Sequence, residues 1–220
     1  MDFAAARRTM VDSQVRPNDV TDLRIVAAML DLPRERFVPD AEQALAYADL
    51  DVPVTRGRTG VRRLLKPMVI AKLVQAAGVQ ETDHVLDVGC ATGYSSAVLA
   101  RLAGSVVALE EDAALARFTK DALAAMSGTR VEVVTGPLIA GWPPAAPYDL
   151  IFLSGASEVA PRALGPQLKE GGRLAAIVGK PPATKAMLYR WIDGDFSGWP
   201  VFDASAARLP GFAAPPAFVF

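Results

Sequence analysis

The chain has 220 residues, enough for one α/β domain with a full hydrophobic core. Apolar residues make up 51% and charged residues 21%, a globular composition, and the formal net charge of −1 gives no global field for a polyanion or a membrane surface. One cysteine, Cys90, and one histidine, His84, exclude an internal disulfide framework, a multi-histidine or cysteine-rich metal centre and a histidine-based catalytic triad.

The first ten residues, MDFAAARRTM, lack the apolar core of a secretion signal, and Arg101 interrupts the best candidate for a membrane span. A cytoplasmic protein with no membrane partner is therefore expected. Residues 1–80 read as mainly helical. In TDLRIVAAMLDLP, Thr21 is placed to cap a helix, Leu23, Val26, Ala27 and Leu30 follow helical spacing, and Pro33 stops it. A second helix, from about Lys66 to Ala77, puts Val69, Leu73 and Ala76 on one side.

From His84 the pattern changes to short apolar strands alternating with helical segments. HVLDVG precedes YSSAVLARLA, SVVALE precedes ALARFTKDALAAM, VEVVTG follows, YDLIFLSG precedes PRALGPQLK, and GGRLAAIVG closes the series. Strands apolar almost throughout predict a sheet covered on both faces, and β–α alternation predicts parallel order with right-handed crossovers. The stretch from KAMLYRWI to AFVF reads as antiparallel strands finishing one edge, with Trp191, Trp199, Phe212 and Phe218 in the core or in edge strands. His84 is expected to be a structural residue at a strand start. The predicted architecture is one α/β domain, 1–220, with a doubly wound, mostly parallel sheet and an antiparallel edge. It comprises a helical and loop segment (1–80), a ligand-binding core (81–180) and edge strands (181–220).

The stretch VLDVGCATGYSSAVLARL carries the chemistry. Asp87 ends the first strand of the series, Gly89, Ala91 and Gly93 make a small-residue turn, and a helix starts near Tyr94. Ligands of such sheets sit beyond the carboxyl ends of the strands. Small residues let backbone approach a ligand, and the helix start offers unpaired N–H groups. The next strand ends at Glu110, 21 residues after Gly89, where a carboxylate can accept from two ribose hydroxyls. A nucleoside ligand follows. The pattern D-x-G-x-A-x-G is tighter than a dinucleotide fingerprint, and its leading acid repels a pyrophosphate while welcoming an ammonium. S-adenosylmethionine is therefore favoured over NAD. Ala91 stands at a position where a positive φ would be strained, so a negative φ is expected there.

The chain resembles the protein-L-isoaspartate O-methyltransferases over about residues 10–180. MVDSQVR (10–16), AMLDLPRERFVP (28–39) and AYADLDVPV (46–54) resemble that family's N-terminal segment. The turn at 85–102, GWP (141–143), APYDLIF (146–152) and LKEGGRLAAIVG (168–179) follow in its order. The resemblance implies methyl transfer from S-adenosylmethionine, leaving S-adenosylhomocysteine, to the carboxylate of L-isoaspartyl or D-aspartyl residues in damaged proteins. It places Asp87, Gly89, Ala91 and Gly93 around the methionine end and ribose of the cofactor, Glu110 on the ribose, and the turn after VEVVTG, with Pro137 and Leu138, beside the adenine; Tyr94 and Glu111 are further candidate cofactor contacts. No metal is implied, and the oligomeric state is open.

Two departures from the family pattern stand out. The family's substrate loop, Gly-Gln-Thr-Ile-Ser-Gln-Pro, is replaced between Gly57 and Pro67 by RTGVRRLLK, longer by four residues; aligned back from Pro67, Leu65 takes the hydroxyl position, whereas an insertion placed after Thr59 keeps Thr59 as the candidate catalytic hydroxyl. The family's Gly-Asp pair becomes Gly136-Pro137. From Val52 to Gln80 there are six cations and no acid, and an arginine fork from Arg56, Arg58, Arg62 or Arg63 is a candidate grip for the acceptor carboxylate. A solvated basic face is the plain alternative. Three rival functions remain open at this level: a methyltransferase of the same fold with another acceptor, a non-catalytic protein that binds S-adenosylmethionine or uses the basic loop on nucleic acid, and, more distantly, a nicotinamide-dependent oxidoreductase. Nucleic acid is not the expected partner, because charge elsewhere offsets the small basic patch.

Overall fold

The computed structural model describes residues 1–55, 61–126 and 130–215. Five α-helices stand in it: α1 (Phe3–Met10), α2 (Leu23–Asp31), α3 (Pro67–Ala77), α4 (Tyr94–Ala100) and α5 (Ala113–Ala124). The strands are β1 (Val52–Pro53), β2 (Arg63–Leu64), β3 (His84–Val88), β4 (Ser105–Glu110), β5 (Val131–Thr135), β6 (Tyr148–Ser157), β7 (Leu168–Lys180), β8 (Ala183–Ile192) and β9 (Asp195–Asp203). No helix among the described residues is long and apolar enough to cross a membrane.

The helix ends follow local chemistry. Asp22 caps α2 through its carboxylate on Arg24 N–H at 2.9 Å, so the cap lies one residue beyond the expected Thr21, whose N–H instead donates to Gln75. The helix stops at Leu32, held extended before Pro33. Pro67 opens α3 and Gly78, at φ +59°, closes it. Asp112 caps α5 on the N–H groups of Ala114 and Leu115.

The main sheet has the order β5-β4-β3-β6-β7-β8-β9. Strands β3 to β7 pair in parallel, and β7-β8-β9 pair antiparallel, giving the mixed edge that the sequence predicts. The order reverses between β3 and β6, and a ligand crevice opens at such a switch point, beyond the carboxyl ends of the strands. A two-stranded ribbon, β1 with β2, lies apart from this sheet.

Two apolar clusters cover the sheet. The larger joins the N-terminal helices with α3, α4 and α5. The smaller, on the other face, includes Leu86, Val88, Leu109, Leu138, Ile151, Leu164, Leu209 and Phe212. That face is closed by short turns at 138–145 and 162–167 instead of a long helix. The expected helix in PRALGPQLK is a 3-10 turn, Arg162–Gln167, because Pro166 lacks a donor N–H and Gly165 lies under Trp191 where a side chain would collide. The expected edge strands end at Asp203. Residues 204–215 turn back across the carboxyl ends of β3 and β6, because Leu209 and Phe212 bury there. Trp199, on the outer strand β9, is 44% exposed, and Phe218 lies outside the described residues.

Candidate active site

After β3 the chain turns through Gly89 (φ +74°), Ala91 (φ +53°) and Gly93 (φ +93°) into α4. Gly89 N–H donates to Leu109 O at 2.8 Å, tying the turn to β4. The negative φ expected at Ala91 is not found. Its left-handed conformation costs a residue with a Cβ about 1 kcal/mol, and two bonds clamp it. Ala91 N–H donates to Glu110 Oε2 at 2.9 Å, and the Thr119 hydroxyl donates to Ala91 O at 2.8 Å. Gly93 faces the same Thr119: a Cβ there would lie 2.6 Å from its methyl.

Asp87 is fully buried at the crevice floor. Its Oδ2 accepts from the hydroxyls of Ser95 and Ser96, both at 2.6 Å, and its Oδ1 accepts from Ser154 at 2.6 Å. Burial raises its pKa above the usual carboxylate range, the three hydroxyls pull it down, and the Glu110 charge adds to the rise. The Cys90 thiol beside it is fully buried and pushed well up by burial and by the Asp87 and Glu110 charges, so it is an inert filler. The Tyr94 ring turns away from the crevice. It packs edge-on to Phe37 at 5.4 Å and under the buried Arg34 guanidinium at 4.5 Å. Tyr94 thus packs its ring into the core while its backbone opens α4 at the turn.

Glu110, also fully buried, ends β4 beside the turn. Its Oε1 accepts from Arg62 Nη1 (2.7 Å), Glu111 N–H (3.0 Å) and Asp112 N–H (3.2 Å). Its Oε2 accepts from Arg62 Nη2 (2.9 Å) and Ala91 N–H (2.9 Å). Arg62 also donates to Gly89 O at 2.9 Å. Arg62, one of the four candidate grips for the acceptor carboxylate, uses its fork on the buried Glu110 in this structure. Arg63 is exposed on β2 with one N–H on Asp51 O at 3.1 Å. Arg56, Arg58 and Thr59 lie outside the described residues. At the crevice rim, Leu138 N–H approaches Glu111 Oε2 at 3.4 Å, Leu138 is buried, and Pro137 is exposed.

His84 sits at the opposite end of β3, its ring between Ser105 Oγ (2.7 Å) and Ala145 O (2.9 Å) and stacked on Tyr148. Sequence reasoning missed the residues that complete the site. Ser154 had one signal, a hydroxyl ending an apolar strand next to Asp87's strand. Leu209, in a proline-bounded tail, had none.

A switch-point crevice with a small-residue turn on one strand and a buried acid ending the next defines the S-adenosylmethionine-dependent class of methyltransferase sheets. A model of the protein-L-isoaspartate(D-aspartate) O-methyltransferase family matches residues 6–196. A protein-L-isoaspartate O-methyltransferase of Methylorubrum extorquens is 41% identical over 187 residues, 85% of this chain and 79% of that one. Another from Rhodopseudomonas palustris is 39% identical over 177 residues, 80% of this chain and 71% of its own. The chain belongs to the protein-L-isoaspartate(D-aspartate) O-methyltransferase family. Among solved structures, a protein-L-isoaspartate O-methyltransferase superposes with a TM-score of 0.82 at 24% identity, covering 93% of this chain and 66% of that one. A Plasmodium falciparum structure, in complex with S-adenosyl-L-homocysteine, gives 0.75 at 15% identity, covering 94% of this chain and 97% of that one. Both share the fold.

The family's cofactor is S-adenosylmethionine, and the residue types at the turn suit its adenosine. The space as folded does not. Five N–H donors already meet Glu110, against about four lone-pair sites on a carboxylate. A Cβ placed on Gly89 would lie 2.7 Å from Leu209 Cδ2 and 3.1 Å from Arg62 Nη2. The cavity left between Leu64, Leu65, Cys90, Ala91, Ser95 and Ser154 is about 10 Å³, room for one water.

Proposed function

We propose that this chain carries out its family's reaction, methylating the carboxylate of L-isoaspartyl or D-aspartyl residues in damaged proteins, in the cytoplasm and without a nucleic-acid or membrane partner. The observation that carries the reading is the pairing of Asp87 and Glu110, two buried carboxylates at the ends of adjacent strands, on either side of the left-handed turn. An ionised acceptor carboxylate is already a nucleophile. The chain need only orient it and exclude water, so the remoteness of His84 is no obstacle.

Arg63 is the proposed contact for that acceptor. It stands on β2 beside the buried Leu64 and Leu65, the second of which takes the family's hydroxyl position, and β2 is fixed to β1 by the Val52–Leu64 and Pro53–Arg63 pairs. A fork on a strand holds a carboxylate with two parallel hydrogen bonds. The rewritten loop also supports a second reading, a different acceptor on the same fold.

The test is methyl transfer from labelled S-adenosylmethionine to paired peptides that differ only in isoaspartyl or normal aspartyl linkage. Base-labile label on the isoaspartyl peptide alone is expected, with Arg63→Ala raising KM about tenfold, the size of one lost charge-assisted hydrogen bond. Label on neither peptide, but on another carboxylate or amine in a protein mixture, would transfer the assignment to the second reading.

A further inference from the structure

We infer that Arg62 is an internal competitor for the cofactor's ribose, and that Arg62 and Leu209 together set the cofactor affinity of this chain. The inference rests on the proposed use of S-adenosylmethionine and goes beyond it.

A ribose diol offers a carboxylate two O–H donors on adjacent atoms. The Arg62 guanidinium offers two N–H donors in a fixed fork, at 2.7 and 2.9 Å, one to each oxygen of Glu110. The two groups ask for the same lone pairs. With Ala91, Glu111 and Asp112 N–H groups filling the remainder, Glu110 has no lone pair to spare for a ribose while Arg62 is in place.

Arg62 is held there by an ordered frame. Its N–H donates to Thr55 Oγ1 at 2.8 Å, its carbonyl accepts from Val54 N–H at 2.9 Å, and β2 begins at the next residue. Its side chain is 11% exposed and Glu110 is 0% exposed, so the pair is screened little by solvent.

Leu209 blocks the same place from a remote part of the chain. It lies over Gly89 on β3's turn and Gly155 on β6, the two bare backbone positions flanking the switch point. A Cβ on Gly155 would meet Leu209 Cδ2 at 2.6 Å, Leu209 Cγ at 2.7 Å and Ala207 O at 3.0 Å. The glycines that would let a ligand approach the backbone admit the chain's own tail. Two segments nearly 150 residues apart thus converge on Gly89, and each must move before adenosine can enter.

The experiment is calorimetric titration of S-adenosylhomocysteine into the full chain and into Arg62→Ala, Arg62→Lys, Leu209→Ala and the Arg62→Ala/Leu209→Ala double variant, each shown folded by circular dichroism. Arg62→Ala is expected to bind at least tenfold more tightly than the unaltered chain. Arg62→Lys should fall between, because an ammonium cannot span both oxygens, and the double variant should bind tightest. The melting temperature of Arg62→Ala should rise further on ligand addition than that of the unaltered chain. Equal or weaker binding by folded Arg62→Ala and Leu209→Ala overturns the competition while leaving the cofactor assignment standing. Absence of binding in every folded protein overturns both. If Arg62→Ala does not fold, Arg62→Lys and Leu209→Ala decide by the same criterion.

Discussion

Asp87 is held by three hydroxyls and forms no ion pair among the described residues. Ser95, Ser96 and Ser154 satisfy it with neutral donors, and burial lifts its pKa despite them. A carboxyl whose folded pKa lies above its unfolded value favours the folded state most when protonated. Its contribution is complete below about pH 4, the unfolded value, and is lost as pH rises through the raised folded value. In Asp87→Asn that loss disappears. The melting temperature of the unaltered chain relative to Asp87→Asn should therefore fall between about pH 4 and neutrality. A constant offset between the two proteins over that range would show that Asp87 is not destabilised by burial. The residue itself was legible in the sequence as an acid ending an apolar strand, but its serine shell was only half legible. Ser95 and Ser96 follow the turn directly, whereas Ser154 meets Asp87 only through the β3–β6 pairing. Ala91 shows the reverse case. Its type argued for an ordinary φ, and the clamp from Glu110 and Thr119, set by tertiary structure, imposes a left-handed one.

At the scale of elements, the segment 204–215 explains why the sequence reading stopped short of the closed crevice. It has no periodicity, and prolines stand at positions 210 and 215. Its position comes from pairing that no local pattern encodes. Ala156 N–H donates to Ala207 O, Leu209 N–H donates to Ala156 O, and Glu158 N–H donates to Phe212 O, each at 2.9 Å. The repeating strands, by contrast, were readable because burial on both faces demands apolar runs. The tail's hold is chiefly apolar: Leu209 and Phe212 are almost fully buried, while the Arg208–Glu158 ion pair is solvent-facing on the arginine side. Phe212→Ala should accordingly lower stability by about 3 kcal/mol in urea denaturation, as buried phenylalanines do. Arg208→Ala should leave the urea midpoint unchanged. An equal loss from the two substitutions would mean that the tail is pinned by charge.

At the scale of the whole molecule, the same architecture that defines the ligand crevice is finished by the chain's own two ends of sequence: a basic ribbon from the first third and a tail from the last tenth. Central strands β3, β4 and β6 are buried on both faces. The tail crosses them at one end through a few backbone bonds. Such a molecule should open in unequal steps, with the tail opening well before the sheet. Hydrogen exchange measures this directly. Without ligand, the amides of Ala156 and Leu209 should exchange faster than those of Leu86 and Val107 but slower than free peptide. The Ala207 carbonyl, like Leu209, stands against Gly155, 3.0 Å from its Cβ position, so the competition inferred for Leu209 predicts that the tail backbone lifts when adenosine enters. Saturating S-adenosylhomocysteine should therefore accelerate exchange at Ala156 and Leu209 while slowing it in β3 and β4, as ligand linkage stabilises the sheet. Retained or increased protection at Ala156 and Leu209 in the complex would show that the cofactor enters beside the tail and leaves it in place.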